Sequence, residues 1–297
     1  MAHRKQITVI MGPTGTGKSA LALAVAQTRP AVIINADAMQ MVADLRIITA
    51  RPSIEEEAQA EHALYGVLPA REPTSVARWI AMVTPIITRA WAEEKTPLLV
   101  GGTGMYIKAL REGLAVMPPV PDAIRQHVRT LTAPELYAAL QKQGAEADFK
   151  PGDTQRLARA LEILLATGQS IQHWQAQKHQ PTFPDASWHS VYLQMPRAEL
   201  YARLDRRFMG MMQMGALDEV RALQAQDLPA DTPITRAHGV PELTAYLRGD
   251  MTLDAAIAKA QQNTRNYAKR QMTWLRHSAG DATALDATAR ELHTIFI

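Results

Sequence analysis

Eight consecutive residues, Gly12-Pro13-Thr14-Gly15-Thr16-Gly17-Lys18-Ser19, fit the phosphate-loop pattern G-x-x-x-x-G-K-[ST] at every fixed position. Glycines let backbone N–H groups point inward, and the start of the following helix favours negative charge. Lys18 adds a point charge and the Ser19 hydroxyl is a candidate Mg²⁺ ligand. A loop of this kind binds phosphate or pyrophosphate; the motif itself does not select the compound.

Other candidate groups stand where the chain turns. Asp37 follows the short apolar run Ala31-Val32-Ile33-Ile34, and Gly101-Gly102-Thr103-Gly104 follows Pro97-Leu98-Leu99-Val100. In open α/β sheets, ligands bind outside the carboxyl ends of the strands, so both segments are expected at the same crevice as the phosphate loop. Asp37 there is able to accept a proton or order water around Mg²⁺, or simply to cap a helix. Thr103 offers a hydroxyl at a helix start, with an N-cap as its plainer role.

A third feature is a stretch from Ala255 to Gly280 that has no Asp or Glu but carries Lys259, Arg265, Lys269, Arg270 and Arg276. At about 100° per residue, Arg265, Lys269 and Arg276 fall within about 40° of one another, with Tyr267, Trp274, Leu275 and Ala260 on the opposite side. The expectation is a helix that buries its aromatic side and turns an acid-free basic stripe toward a phosphodiester backbone. Arg156 and Arg159, with Arg125 and Arg129, would extend that surface. The nine histidines show no zinc spacing, and structural roles are expected for His62 and His173. No G-x-S-x-G elbow occurs.

The elements that must position these groups read as an α/β core. The run Ile7–Met11 leads into the phosphate loop and a helix leads out from Ser19. Strands at 31–34 and 97–100 alternate with helices at 75–92 and 103–111, which predicts a parallel sheet covered on both faces. The rhythm breaks at Met117-Pro118-Pro119-Val120-Pro121. Helical patterns follow at 135–143, 154–167 and 171–178, then a returning strand at 191–195 and long helices at 197–226, 239–248 and 252–278. The domain expectation is a catalytic core of 1–116 and 188–297 with C-terminal nucleic-acid-binding helices, interrupted by a helical insertion at 117–187. Met209, Met211, Met212 and Met214 are expected to fill core gaps.

Composition sets outer bounds. Of 297 residues, 47% are hydrophobic and 21% charged, which supports a sizeable core and argues against wholesale disorder. The absence of cysteine excludes disulfides and Cys-based zinc sites and fits a reducing cytoplasm. The polar leader Ala2-His3-Arg4-Lys5 runs straight into the first strand, so no secretory start is expected, and no apolar run is long enough to span a membrane. A net charge of +3 permits a nucleic-acid partner without demanding one.

Together these motifs resemble the tRNA dimethylallyltransferase (isopentenyltransferase) family, bacterial type, from about residue 7 to 277. Asp37-Ala38-Met39-Gln40 is similar to that family's Asp-Ser-Met-Gln, Thr49-Ala50-Arg51-Pro52 to its Thr-Ala-Lys-Pro, and Gly101-Gly102-Thr103-Gly104-Met105-Tyr106 to its Gly-Gly-Thr-Gly-Leu-Tyr. Asp153-Thr154-Gln155-Arg156, with Arg159-Ala160-Leu161-Glu162, resembles the insertion motif. Most specific is Ala268-Lys269-Arg270-Gln271-Met272-Thr273-Trp274-Leu275-Arg276, close to Ala-Lys-Arg-Gln-x-Thr-Trp-x-Arg. The chain departs from the pattern at Ala38, Val42, Arg46, Ala63 and Val240.

The resemblance implies a P-loop NTPase-like fold and transfer of a dimethylallyl group from dimethylallyl diphosphate to N6 of the adenine 3′ to the tRNA anticodon. It implies that the loop, Gly12 through Ser19, holds diphosphate as a leaving group, with Mg²⁺ on Ser19. It assigns Asp37, Thr103 and Arg221 to catalysis, Arg221 resting on the shorter match Glu219-Val220-Arg221-Ala222-Leu223. It assigns tRNA contacts to Asp37, Ala38, Met39, Gln40, Arg125, Gln155, Arg156, Leu157, Ala158, Arg159, Arg265, Lys269, Arg270 and Arg276. It implies a cytoplasmic monomer whose partner is the tRNA anticodon stem-loop. The same loop on ATP would make a small-metabolite kinase, which leaves the basic helix without a role. A catalytically impaired tRNA-binding homologue is the other alternative.

Overall fold

A computed structural model of the chain describes residues 5–144, 149–177, 180–229, 232–278 and 280–288. In chain order the core begins β1 (Gln6–Met11), α1 (Lys18–Thr28), β2 (Ala31–Asn35), α2 (Ile54–Glu57), β3 (Glu61–Ala63), α3 (Val76–Ala92), β4 (Thr96–Gly101) and α4 (Gly104–Glu112). Four helices follow: α5 (Asp122–Arg129), α6 (Ala133–Lys142), α7 (Thr154–Thr167) and α8 (Ile171–Gln175). The chain continues through β5 (Ser187–Gln194), α9 (Arg197–Gln213), α10 (Ala216–Gln224), α11 (Val240–Leu247), α12 (Leu253–Ser278) and β6 (Thr283–Asp286).

All strand pairings are parallel, in the order β3-β2-β4-β1-β5-β6. The expected α/β class is therefore found. Strands β1, β2 and β4 read as near-continuous apolar runs because helices cover both faces of the sheet. Ile7, Val9, Val32, Ile34 and Leu99 pack with Trp79, Val83 and Ile87 of α3 on one face. Ile10, Ile33, Leu98 and Val100 pack with Leu21, Ala22 and Val25 of α1 on the other.

The chain divides into two compact units, Met1–Arg111 with Thr182–Ile297, and Glu112–Pro181. The smaller unit is a helical cluster around Val128, Leu136, Leu140, Leu157, Ala160 and Leu161.

Several expectations from the sequence are corrected. Glu61–Ala63 and Thr283–Asp286 are the two edge strands, too short and too polar to register as apolar runs. The helix expected at 197–226 is two helices, broken where Gly215 takes φ 104°. Helix α5 lies in the expected helical insertion, at a place where the sequence pattern sets no separate helix bounds. Of the four methionines expected in the core, Met211 is buried, but Met209 and Met214 are exposed. Residues Ala2, His3, Arg4 and Lys178 of the expected leader and helix lie outside the described residues.

Candidate active site

A cleft of about 350 Å³ opens at the carboxyl ends of the strands in the larger unit. Its first wall is the phosphate loop. Gly17, at φ 92°, caps α1 without a side-chain hydrogen bond, and no acidic residue stands in the first turn. The orphan N–H groups of that turn are therefore left for an anion. Lys18 Nζ donates to the Gly12 and Pro13 carbonyls, each at 2.9 Å. Burial lowers its pKa to about 8; the Asp37 carboxylate works against this shift, and Arg207 adds to it. Ser19 lines the same cleft.

Asp37 stands two residues beyond β2 and is held by its neighbours. Its N–H donates to Asn35 Oδ1 at 2.8 Å, and Asn35 Nδ2 donates to the Asp37 and Leu64 carbonyls at 2.9 Å each. Asn35 is itself fixed, because Trp79 Nε1 donates to its carbonyl at 2.8 Å. Asp37 Oδ1 accepts from the Met39 N–H at 2.9 Å, and Asp37 lines the cleft.

Helix α9 supplies two cations that sequence reasoning missed. Arg203 and Arg207, one turn apart, both line the cleft, and Arg207 donates to Thr14 Oγ1 at 2.7 Å. Burial pushes the Arg207 guanidinium down to about 10, with Arg203 adding to the effect. A desolvated guanidinium bonded to a neutral hydroxyl has donors to spare for an anion. The signal was present as an i, i+4 pair, but nothing in the sequence aims α9 at the loop.

Arg221 is corrected. It lies on the exposed side of α10, paired with Asp218, and is not part of the cleft lining. The neighbouring Glu219 carries the structural role of that motif: its carboxylate accepts from the N–H groups of Arg46, Ile47 and Ile48 at 2.8–3.0 Å. It thereby fixes the segment whose Ile48, Thr49 and Ala50 line the cleft.

The basic helix is also revised. Arg265 bonds both oxygens of Asp205 on α9, at 2.6 and 2.7 Å, so the acid missing from the 255–280 stretch is supplied by a neighbouring helix. Lys269, Arg270 and Arg276 are exposed. Tyr267 does not join the buried side. It lines the cleft, with its ring 4.5 Å from His238 and Arg270 over it at 5.8 Å. Burial raises the Tyr267 phenol and lowers His238, so both rings are neutral in the cleft near pH 7.

The remaining expected residues are dispersed. Met39 and Gln40 line the cleft, the Gln40 amide donating to the Thr49 and Ala50 carbonyls, while Ala38 packs into the core. Gly101 lines the cleft and Thr103 stands two residues on, half-buried, before α4. In the helical unit, Arg125, Gln155 and Arg156 are exposed, Arg156 pairing with Asp153 and Arg159 with Glu162. Leu157 is corrected: it is fully buried in the helical cluster, where Ala158 also packs, so its side chain is not a contact surface. None of Ala38, Val42, Arg46, Ala63 and Val240 lines the cleft; Val42 and Val240 share one buried cluster.

The family model described as IPP transferase matches residues 40–278, and that described as isopentenyl transferase matches 5–66. A tRNA dimethylallyltransferase of Azorhizobium caulinodans is 48% identical over 279 residues, covering 92% of this chain and 89% of its own. One from Gluconacetobacter diazotrophicus is 48% identical over 295 residues, covering 96% and 88%. Among solved structures, the tRNA isopentenylpyrophosphate transferase of Bacillus halodurans superposes with a TM-score of 0.73 at 29% identity, over 99% of this chain and 96% of that one. A eukaryotic dimethylallyltransferase acting on tRNA gives 0.79 at 26% identity, over 95% and 74%.

Proposed function

Because this chain belongs to the IPP transferase family, we propose that it transfers a dimethylallyl group from dimethylallyl diphosphate to N6 of the adenine 3′ to a tRNA anticodon. The observation that carries the reading is the polarity of one cleft. The phosphate loop, Arg203 and Arg207 gather positive charge and N–H donors, while Asp37 and the neutral rings of His238 and Tyr267 share the same lining. A diphosphate fits among the former, and an adenine beside the latter.

In the reaction, the N6 lone pair forms a bond to the allylic carbon as the carbon–oxygen bond to diphosphate breaks. Lys18, Arg207 and the loop N–H groups offset the charge that grows on the departing diphosphate, the preorganised kind of stabilisation that most enzymes use. Asp37 takes the proton released from N6. Phe208, Met211 and Ile48 contribute apolar lining that limits water beside the allylic carbon. The target base must leave its stack to reach the cleft.

For Mg²⁺, the cleft supplies the Ser19 hydroxyl and the Asp37 carboxylate. Among the described residues there is no cluster of three or more acidic, His or Cys groups for a metal. This sparse donor set suits an ion held largely by substrate phosphate oxygens and water, with Ser19 as the protein ligand. Such an ion would neutralise diphosphate charge. The helical unit, Glu112–Pro181, with Arg125, Gln155, Arg156 and Arg159, and the exposed Lys269, Arg270 and Arg276 of α12, are proposed to bear on the anticodon stem-loop.

The test is incubation with Mg²⁺, labelled dimethylallyl diphosphate and bulk unmodified tRNA, with AMP and ATP as parallel acceptors. Label in tRNA alone supports the reading. Label on a free nucleotide moves the activity to nucleotide prenylation, and tRNA binding without transfer overturns catalysis.

A further inference from the structure

Gln271, on the cleft side of α12, is buried, at 7% exposure, and both ends of its amide are engaged. Its Oε1 accepts from the Thr14 N–H at 2.8 Å, and its Nε2 donates to the Gly102 carbonyl at 3.3 Å. One side chain thus ties the phosphate loop after β1 to the glycine turn after β4. The approach is close: a Cβ on Gly102 would collide with Gln271 Nε2, and one on Gly104 with the Trp274 ring. Gly102 and Gly104 are therefore spaces for α12, whereas Gly101 makes room for the Ala36 backbone beyond β2.

Thr14 is where these restraints meet. Its N–H is held by Gln271 and its hydroxyl by Arg207. Within the loop itself the other tethers are short-range: the Thr16 N–H and hydroxyl donate to the Pro13 carbonyl, and Lys18 Nζ donates to the Gly12 and Pro13 carbonyls. The Thr14 amide, in the middle of the loop, is thus held by a residue 257 positions away. The two residues before Gln271, Lys269 and Arg270, are exposed on the same helix.

We propose that Gln271 is a positioning residue of the transferase site: its buried amide locks the phosphate loop against the Gly102 turn, and so makes the setting of both depend on α12. A nucleic acid seated on the exposed cations of α12 acts on the same helix turn that holds the loop. The kinetic part rests on the prenyl-transfer reading; pyrophosphate binding needs no acceptor and tests the clamp alone.

Gln271→Met keeps the length and bulk of the side chain and removes both hydrogen bonds. Gln271→Glu keeps an acceptor for the Thr14 N–H and removes the donor to Gly102. Calorimetry with pyrophosphate should show tenfold or greater weakening in Q271M, with kcat/KM for dimethylallyl diphosphate falling as far. The KM for tRNA should stay within twofold and Tm within a few degrees. Exchange of the Thr14 amide should be slow in wild type and in Q271E, and fast in Q271M. Pyrophosphate affinity within twofold of wild type in Q271M overturns the proposal, as does unchanged exchange at Thr14. A uniform loss of pyrophosphate binding, tRNA binding and Tm also overturns it, since that is the signature of packing alone. Weakened pyrophosphate binding in Q271M alongside a wild type that transfers nothing upholds the clamp and removes the prenyl-transfer reading.

Discussion

One wall of the cleft comes from a single segment running from the end of β1 into α1, with Thr14, Gly15, Gly17, Lys18 and Ser19 in the lining, while the rest of its basic and aromatic lining comes from places far apart in the chain. Arg203 and Arg207 come from α9, His238 from the turn before α11, and Tyr267 and Gln271 from α12. The contiguous wall needs only local geometry: a buried strand, glycines and a helix start. The assembled wall needs α9 and α12 to pack correctly, and its chemistry is set by burial. Arg207 and Lys18 are both cations pulled down by desolvation, one from each wall. A phosphate loop announces an anion, whereas the second buried cation beside it, Arg207, is recruited by the fold.

The comparison can be broken first at the acceptor. Asp37→Ala should lower transfer by about 10²–10⁴-fold, the range of general-base catalysis, while filter binding of tRNA stays near wild type; full activity would remove Asp37 from the reaction. The next effect separates the walls. Arg207→Met should weaken pyrophosphate on the order of tenfold to a hundredfold, the scale of hydrogen bonds to charged groups, whereas exposed Arg221→Ala should leave it within twofold. Equal losses would restore Arg221 to the site.

A pH titration sharpens the role of Lys18. Its pKa in the folded protein is about 8, below the 10.5 of the unfolded chain. Pyrophosphate affinity should therefore fall as pH rises through about 8, as the ammonium is lost. Stability moves the other way: the unfolded chain binds the extra proton between those values, so the cost of burying the charge is fully present below 8 and disappears toward 10.5. Lys18→Met should be more stable than wild type at neutral pH, with the gap closing as the medium becomes alkaline. A pH-independent gap in chemical denaturation would remove the buried charge as its cause.

The smallest effect concerns tRNA. Replacing Lys269 and Arg276 by Ala should reduce the salt slope of tRNA binding by about 0.7–0.9 for each phosphate no longer neutralised. Arg265→Ala should instead lower Tm and leave the slope unchanged, since its charge is taken by Asp205. A slope change with Arg265→Ala would return that residue to the basic stripe.

Most of the core was legible because parallel strands buried on both faces must be apolar throughout, and three of them are short, uninterrupted runs. The edge strands were not, since β3 pairs on one side only and carries Glu61 and His62. Asp37 was legible from its place after β2; the Asn35 and Trp79 hydrogen bonds that fix it were not. The departures from the family pattern at Val42 and Val240 meet in one buried cluster, which only the fold shows.

By itself the sequence determined the alternation of strand and helix, the phosphate loop and the position of Asp37, because each depends on residues close along the chain. Tertiary structure alone decided which cations are available. It took Arg265 out of the basic stripe by pairing it with Asp205, left Arg221 outside the cleft, and brought Arg207 to Thr14. Whether a charge is paired, solvated or buried depends on groups distant in sequence, and no local spacing contains that information.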